Sequence, residues 1–128
     1  MRAVDTNIVV RAIIADIPEQ REIADRIIAS GVFIPTTVLL EIGWVLGKVY
    51  RQSRAQLADS LTALLDLPTV RVGDEPGLRR AIELFRDGAD LADAIHLVAA
   101  GGSEAFVTFD RGLARLPGTP LPVILAEA

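Results

Sequence analysis

Two rhythms of apolar and polar positions take turns along this chain: short apolar runs, and longer stretches in which apolar residues recur every three or four positions. Arg2 to Val4 is a strand-like run ending at Asp5. Thr6 or Asn7 is placed to cap a helix carrying Ile8, Val9, Ile13 and Ile14. Pro18 opens a second helix, with Ile23, Ile27 and Ile28 as its apolar stripe and Gly31 as its stop. Val32 to Ile34 reads as a strand, and a helix follows from Thr36-Thr37 to about Tyr50. Ser53 caps another that runs through Leu65. Leu67 to Val72 is strand-like. A helix from about Pro76 carries Leu78, Ile82 and Phe85 as far as Gly88, and Asp90 starts the next, which ends at Gly101-Gly102. Ala105 to Phe109 is a strand, Asp110 to Arg115 a helical turn, and Leu121 to Leu125 a last strand among prolines.

Strands separated by helices need crossover connections, so the pattern predicts an α/β fold with a mainly parallel sheet. No internal repeat or linker interrupts it, and one domain over residues 1–128 is expected. Sites in such folds form beyond the carboxyl ends of the strands, and Asp5 and Asp110 both sit at such ends.

Composition narrows the chemistry. With no cysteine there is no disulfide, thiol nucleophile or cysteine zinc site. The strand-like Arg2-Ala3-Val4 leaves no room for a signal peptide at the start. The apolar stretch from Val38 to Leu46 is broken by Glu41 and too short for a bilayer. A cytoplasmic protein without membrane segments is the expectation. The net charge of −4 counts against nucleic acid, but twelve of the thirteen basic residues are Arg, the side chain suited to bidentate phosphate contacts. Arg11, Arg79, Arg80, Arg86, Arg111 and Arg115 are the candidates for such contacts.

Four acids stand out: Asp5, Glu41, Asp93 and Asp110. Each has an ordinary explanation. Asp5, Asp90 and Asp110 suit helix N-caps, Asp93 suits the third position of a helix, and Glu41 could reach solvent from its helix. Glu41 strains that explanation most, because Val38, Leu39, Leu40, Ile42, Trp44, Val45 and Leu46 surround it in sequence. An ionised, buried and unpaired carboxylate costs on the order of several kcal/mol. Taken together, the acids form a set without softer ligands, which suits Mg²⁺ or Mn²⁺. Two such charges about 4 Å apart repel by roughly 4 kcal/mol at an effective dielectric of about 20, and a divalent ion would relieve that repulsion. The expected chemistry is metal-assisted, in-line attack of water on a phosphate ester. Asp5, Asp93 and Asp110 are the expected metal ligands, and Glu41 a ligand or the holder of the attacking water. Asn7 and Thr108 are expected to support the carboxylates, and Asp90 to cap or assist. His96, between apolar neighbours, reads as a packed residue that could also support a carboxylate.

Val4-Asp5-Thr6-Asn7, Val38-Leu39-Leu40-Glu41-Ile42, Asp90-Leu91-Ala92-Asp93-Ala94 and Thr108-Phe109-Asp110 together resemble the PIN-domain ribonucleases, and among them the VapC-type toxins of toxin–antitoxin pairs. That resemblance implies a three-layer sandwich around a five-stranded, mainly parallel sheet, and an acidic pocket binding Mg²⁺ or Mn²⁺. It further implies RNA cleavage, a homodimer, and a cognate antitoxin whose C-terminal segment fills the cleft. The nearly all-apolar helix with Trp44 and Tyr50 independently suggests a dimer through the helices between Thr37 and Leu65.

Two other classes compete. A phosphotransfer protein using Asp5 would want a second Asp two residues on, where Asn7 stands, or a Lys in a late loop, whereas the sole Lys48 lies on the Glu41 helix. A non-catalytic module could use the same acids to receive a basic peptide or RNA.

Overall fold

A computed structural model describes residues 1–127, which form two compact units, Met1–Glu75 and the described residues from Pro76 onward. The first unit contains β1 (Arg2–Ala3), α1 (Thr6–Ile13), α2 (Pro18–Ala29), β2 (Val32–Phe33), α3 (Thr36–Lys48), α4 (Arg54–Asp66) and β3 (Val70–Arg71). Its three strands are parallel in the order β1-β2-β3, with Arg2 beside Val32 and Val32 beside Val70. Parallel neighbours require crossovers, and the intervening helices supply them. Helices that follow adjacent parallel strands begin at the same end of the sheet. Thus α1 and α3 start side by side.

Burial follows the helical repeat. Leu39, Ile42, Gly43 and Leu46 form the inner stripe of α3, against a core that includes Val9, Val32, Ile34, Leu57 and Leu61. Ala24 and Ile28 form that of α2. The expectation for Ile23 fails here: it is 49% exposed, one position off the stripe that Ala24 and Ile28 define. Ser53 caps α4 in a reciprocal box with Gln56. The helix expected to reach Tyr50 stops at Lys48, and Arg51 turns the chain with φ of +55°.

The second unit contains most of α5 (Glu75–Arg86), then α6 (Leu91–Ala99), β4 (Phe106–Thr108), α7 (Arg111–Ala114) and β5 (Val123–Leu125). Strands β4 and β5 form a parallel pair, Phe106 beside Val123 and Thr108 beside Leu125. Phe106 and Val123 pack with Leu116 and Ala100 onto Leu97, Leu113 and Leu121. Leu78, Ala81, Ile82 and Phe85 are the buried stripe of α5. That helix ends in a Schellman turn. The Ala89 amide donates to the Leu84 carbonyl and the Gly88 amide to that of Phe85, while Gly88 takes the left-handed φ of +119°.

The architecture is α/β with parallel strand pairing, as the pattern predicts. The single five-stranded sheet needs correction: the strands form one three-stranded and one two-stranded sheet. Each is only two or three residues long, so each ladder has few hydrogen bonds with which to extend. No helix among the described residues is long and apolar enough to cross a membrane.

Candidate active site

In the first unit, the parallel strand β1 delivers Asp5 to the start of α1. Its carboxylate accepts a 2.7 Å hydrogen bond from the Thr6 amide, which makes Asp5 the N-cap. The cap expected at Thr6 or Asn7 therefore lies one position earlier. That shift has a consequence for chemistry. Thr6 becomes the first helical residue, 4% exposed, and its hydroxyl donates to Glu41 Oε1 on α3. Asp5 and Glu41, far apart in sequence, are thus linked through one threonine. Asn7 is exposed on the first turn of α1.

The expectation of a buried Glu41 is wrong. It is solvent-exposed, because Glu41, Trp44 and Lys48 fall on the outer stripe of α3, opposite Leu39, Ile42 and Leu46. Apolar neighbours in sequence are not neighbours in space when the chain turns about 100° per residue. The desolvation argument for Glu41 lapses, and the bond from Thr6 takes its place.

In the second unit, the Schellman turn at Gly88 leads into Asp90, whose carboxylate accepts from the Asp93 amide at 3.2 Å and caps α6. Asp110 likewise caps α7, accepting from the Leu113 amide at 3.1 Å. These two acids and Asp93 line a pocket of about 240 Å³ with Gly88, Ala89, Gly112, Leu113 and Leu116. Sequence reasoning gave no role to Gly112. A Cβ built there would lie 3.2 Å from Asp110 Oδ1, so the glycine gives that carboxylate room. A small residue two positions after a capping acid was the available signal.

Asp93 differs from its neighbours. It is half-buried, and its pKa is raised above the ordinary carboxylate value, first by desolvation and then by repulsion from Asp90 and Asp110. His96 opposes that shift. The packed environment expected for His96 is not found: it is exposed on α6, within electrostatic reach of Asp93. Thr108 was expected to support the Asp110 carboxylate. It instead accepts from the Asp110 amide at 3.0 Å, so its support for that residue runs through the backbone.

The basic candidates divide as well. Arg11 donates to Asp16 at 2.8 Å and to the Tyr50 hydroxyl at 3.2 Å, while Arg80 donates to the Gly118 carbonyl. Arg86 stands 3.7 Å from Glu83. Arg111 and Arg115 are exposed, immediately after Asp110.

Carboxylates are the only polar side chains that line the second-unit pocket, a donor set that fits a hard divalent cation, and the pKa of Asp93 is raised there first by burial and then by the neighbouring carboxylates. Within either unit, among the described residues, no three acidic or histidine side chains gather at metal-ligand spacing. Two of the pocket acids also give one oxygen each to a helix cap.

The fold is α/β, with Asp5 and Asp110 just after strands and three carboxylates lining one small pocket. The family model of the PIN domain matches residues 2–118, and the chain belongs to that family. Domains of this family are generally nucleases and typically use divalent metal ions. No curated protein matches the chain.

Proposed function

We propose that this protein is a Mg²⁺- or Mn²⁺-dependent endoribonuclease that hydrolyses RNA phosphodiester bonds and serves as the toxin of a toxin–antitoxin pair. The observation that carries the reading is the pocket in which half-buried Asp93 lies with Asp90 and Asp110, where burial first and the two further carboxylates second raise its pKa. Such a site gains most from a divalent cation. Within the second unit Asp93 and Asp110 would hold it, and within the first Asp5 and Glu41, restrained by Thr6, would serve cleavage. A bound ion supplies charge neutralisation at phosphorus and a lowered pKa for its water. Asp90 and Asp110 hold the first turns of α6 and α7 in place through their caps. Asn7 and the Thr108 turn steady the carboxylates beside them.

The cytoplasm is the expected compartment, since RNA is the substrate. A homodimer through α3 and α4 is supported by Trp44, which leaves 60% of its surface in solvent on α3. A cognate antitoxin would present a basic segment to the acidic cleft.

The experiment is RNA cleavage by the purified protein with Mg²⁺, Mn²⁺ or EDTA. Cleavage should need the divalent ion and be abolished in Asp5→Asn and Asp93→Asn. Asp25→Asn, which alters only an exposed pair with Arg21, should cleave normally. Loss of activity in all three variants alike would remove the site assignment.

A further inference from the structure

Two polar contacts join α1 to α3 inside the first unit, and one of them touches no candidate site acid. The Thr6 hydroxyl donates to Glu41 from the first turn of α1. Farther along, Arg11 Nη1 donates at 3.2 Å to the hydroxyl of Tyr50, just past the end of α3, in a part-buried bond. Rising about 1.5 Å per residue, α1 sets these two donors about 7.5 Å apart along its axis.

Neither end of the second contact is loose. The same Arg11 nitrogen donates at 2.8 Å to Asp16, in the turn after α1, which holds the guanidinium in place. Tyr50 lies beyond Lys48, yet its amide donates to the Val45 carbonyl at 3.2 Å, and the Gln52 amide donates to that of Leu46 at 3.0 Å. Arg51 between them takes φ of +55°, a left-handed backbone unfavourable for a residue with a Cβ. Contacts, not local preference, therefore hold this turn. Tyr50 moves with the last turn of α3, and a restraint on its hydroxyl is a restraint on the helix.

The remaining buried positions of the two helices are apolar or glycine: Val9 and Val10 on α1, and Leu39, Ile42, Gly43 and Leu46 on α3. Apolar burial is non-directional and tolerates a small slide or rotation better than a hydrogen bond does. One hydrogen bond near one end leaves the helices free to pivot about it. A second near the other end removes that freedom. Asp5 caps α1 and Glu41 sits on α3, so the register of the helices sets the spacing of the two acids.

We propose that Arg11 and Tyr50 form a positioning clamp that fixes the register of α3 against α1, and thereby the placement of Glu41 relative to Asp5. The inference rests on the nuclease reading for its effect on cleavage, and its structural half stands without that reading. It gives Arg11 a role other than the phosphate contact its charge suggests, since Nη1 is committed to Asp16 and Tyr50.

Tyr50→Phe is the informative variant, because it deletes the hydroxyl and keeps the ring. In RNA cleavage with Mg²⁺ it should lower kcat by about 10-fold, the lower end of the range for a group that orients an active-site ligand, and leave KM unchanged. Arg11→Met should show the same split, and adding Tyr50→Phe to it should cause no further loss. A purely structural role would lower the melting temperature and leave kcat of the folded protein intact. A phosphate contact by Arg11 would raise KM. Either result overturns the clamp.

A second measurement needs no activity. In urea denaturation, the losses from Thr6→Val and Tyr50→Phe should add if the two bonds are independent, since they share no partner. The clamp requires the double variant to lose less than that sum, because freeing one end slackens the other. Additive losses overturn it. Absence of RNA cleavage by the wild type in both Mg²⁺ and Mn²⁺ would sink the nuclease reading alone, and the denaturation cycle would still decide the clamp.

Discussion

Asp5, Asp90 and Asp110 all cap helices, but the remaining acid of each unit is held differently. Glu41 is restrained by a neutral donor, the Thr6 hydroxyl, and Asp5 spends one oxygen on a backbone amide. Asp93 lies near other carboxylates, and its raised pKa records first its partial burial and then their repulsion. One set is organised before any ligand arrives. The other is held together by its helix caps against its own charge. A cation should therefore matter most to the second set, and hydrogen-bond geometry to the first.

Asp93→Asn should break the comparison most visibly. RNA cleavage should fall by about 100-fold or more, the scale set by loss of a catalytic group, while the metal-free protein melts no lower than the wild type because repulsion with Asp90 and Asp110 is relieved. A large drop in melting temperature would show that Asp93 serves the fold instead. Thr6→Val should cost roughly 10- to 100-fold in cleavage, the usual range for a residue that orients an active-site ligand, with Thr6→Ser restoring most of it. If valine and serine cleave alike, the bond to Glu41 has no part in function.

Smaller still is the pH effect. The folded-state pKa of Asp93 is raised, so the folded metal-free protein holds this proton to higher pH than the unfolded chain does. Between the two pKa values stability falls as pH rises, and above both the penalty is constant. Melting curves of the metal-free wild type across the acidic range should show that slope, and Asp93→Asn should flatten it. Metal affinity should run the other way and weaken as pH drops through the raised pKa, which isothermal titration would measure. The least effect should come from Asp90→Asn. Asparagine caps a helix about as well as aspartate, so stability changes little, whereas Asp90→Ala should cost about 1 kcal/mol in chemical denaturation.

Much of this molecule was legible along the chain, and the gaps have physical causes. Pro18 at a helix start, Ser53 with Gln56, Gly88 at a helix stop, and Asp90 and Asp110 as caps are local devices that act within a few residues. Local devices can be read locally. The facing of side chains was misread at three helical positions. Glu41 was expected inside and lies outside, and His96 and Ile23 were expected to pack and are exposed. In a helix rich in apolar residues, several stripes could face inward, and sequence gives no rule for choosing among them. Thr108 acts through a local bond instead: its hydroxyl accepts from the backbone amide two residues on.

From sequence alone came the order of helices and strands, the identity of the acids and the helix starts that hold them, because caps, breakers and periodicity are properties of short segments. Only the folded chain decided that Thr6 bonds Glu41, that Asp93 is the acid under electrostatic pressure, and that Phe109 stands bare in solvent. Those outcomes depend on atoms brought near from distant positions, and burial, repulsion and exposure have no value until those neighbours are in place.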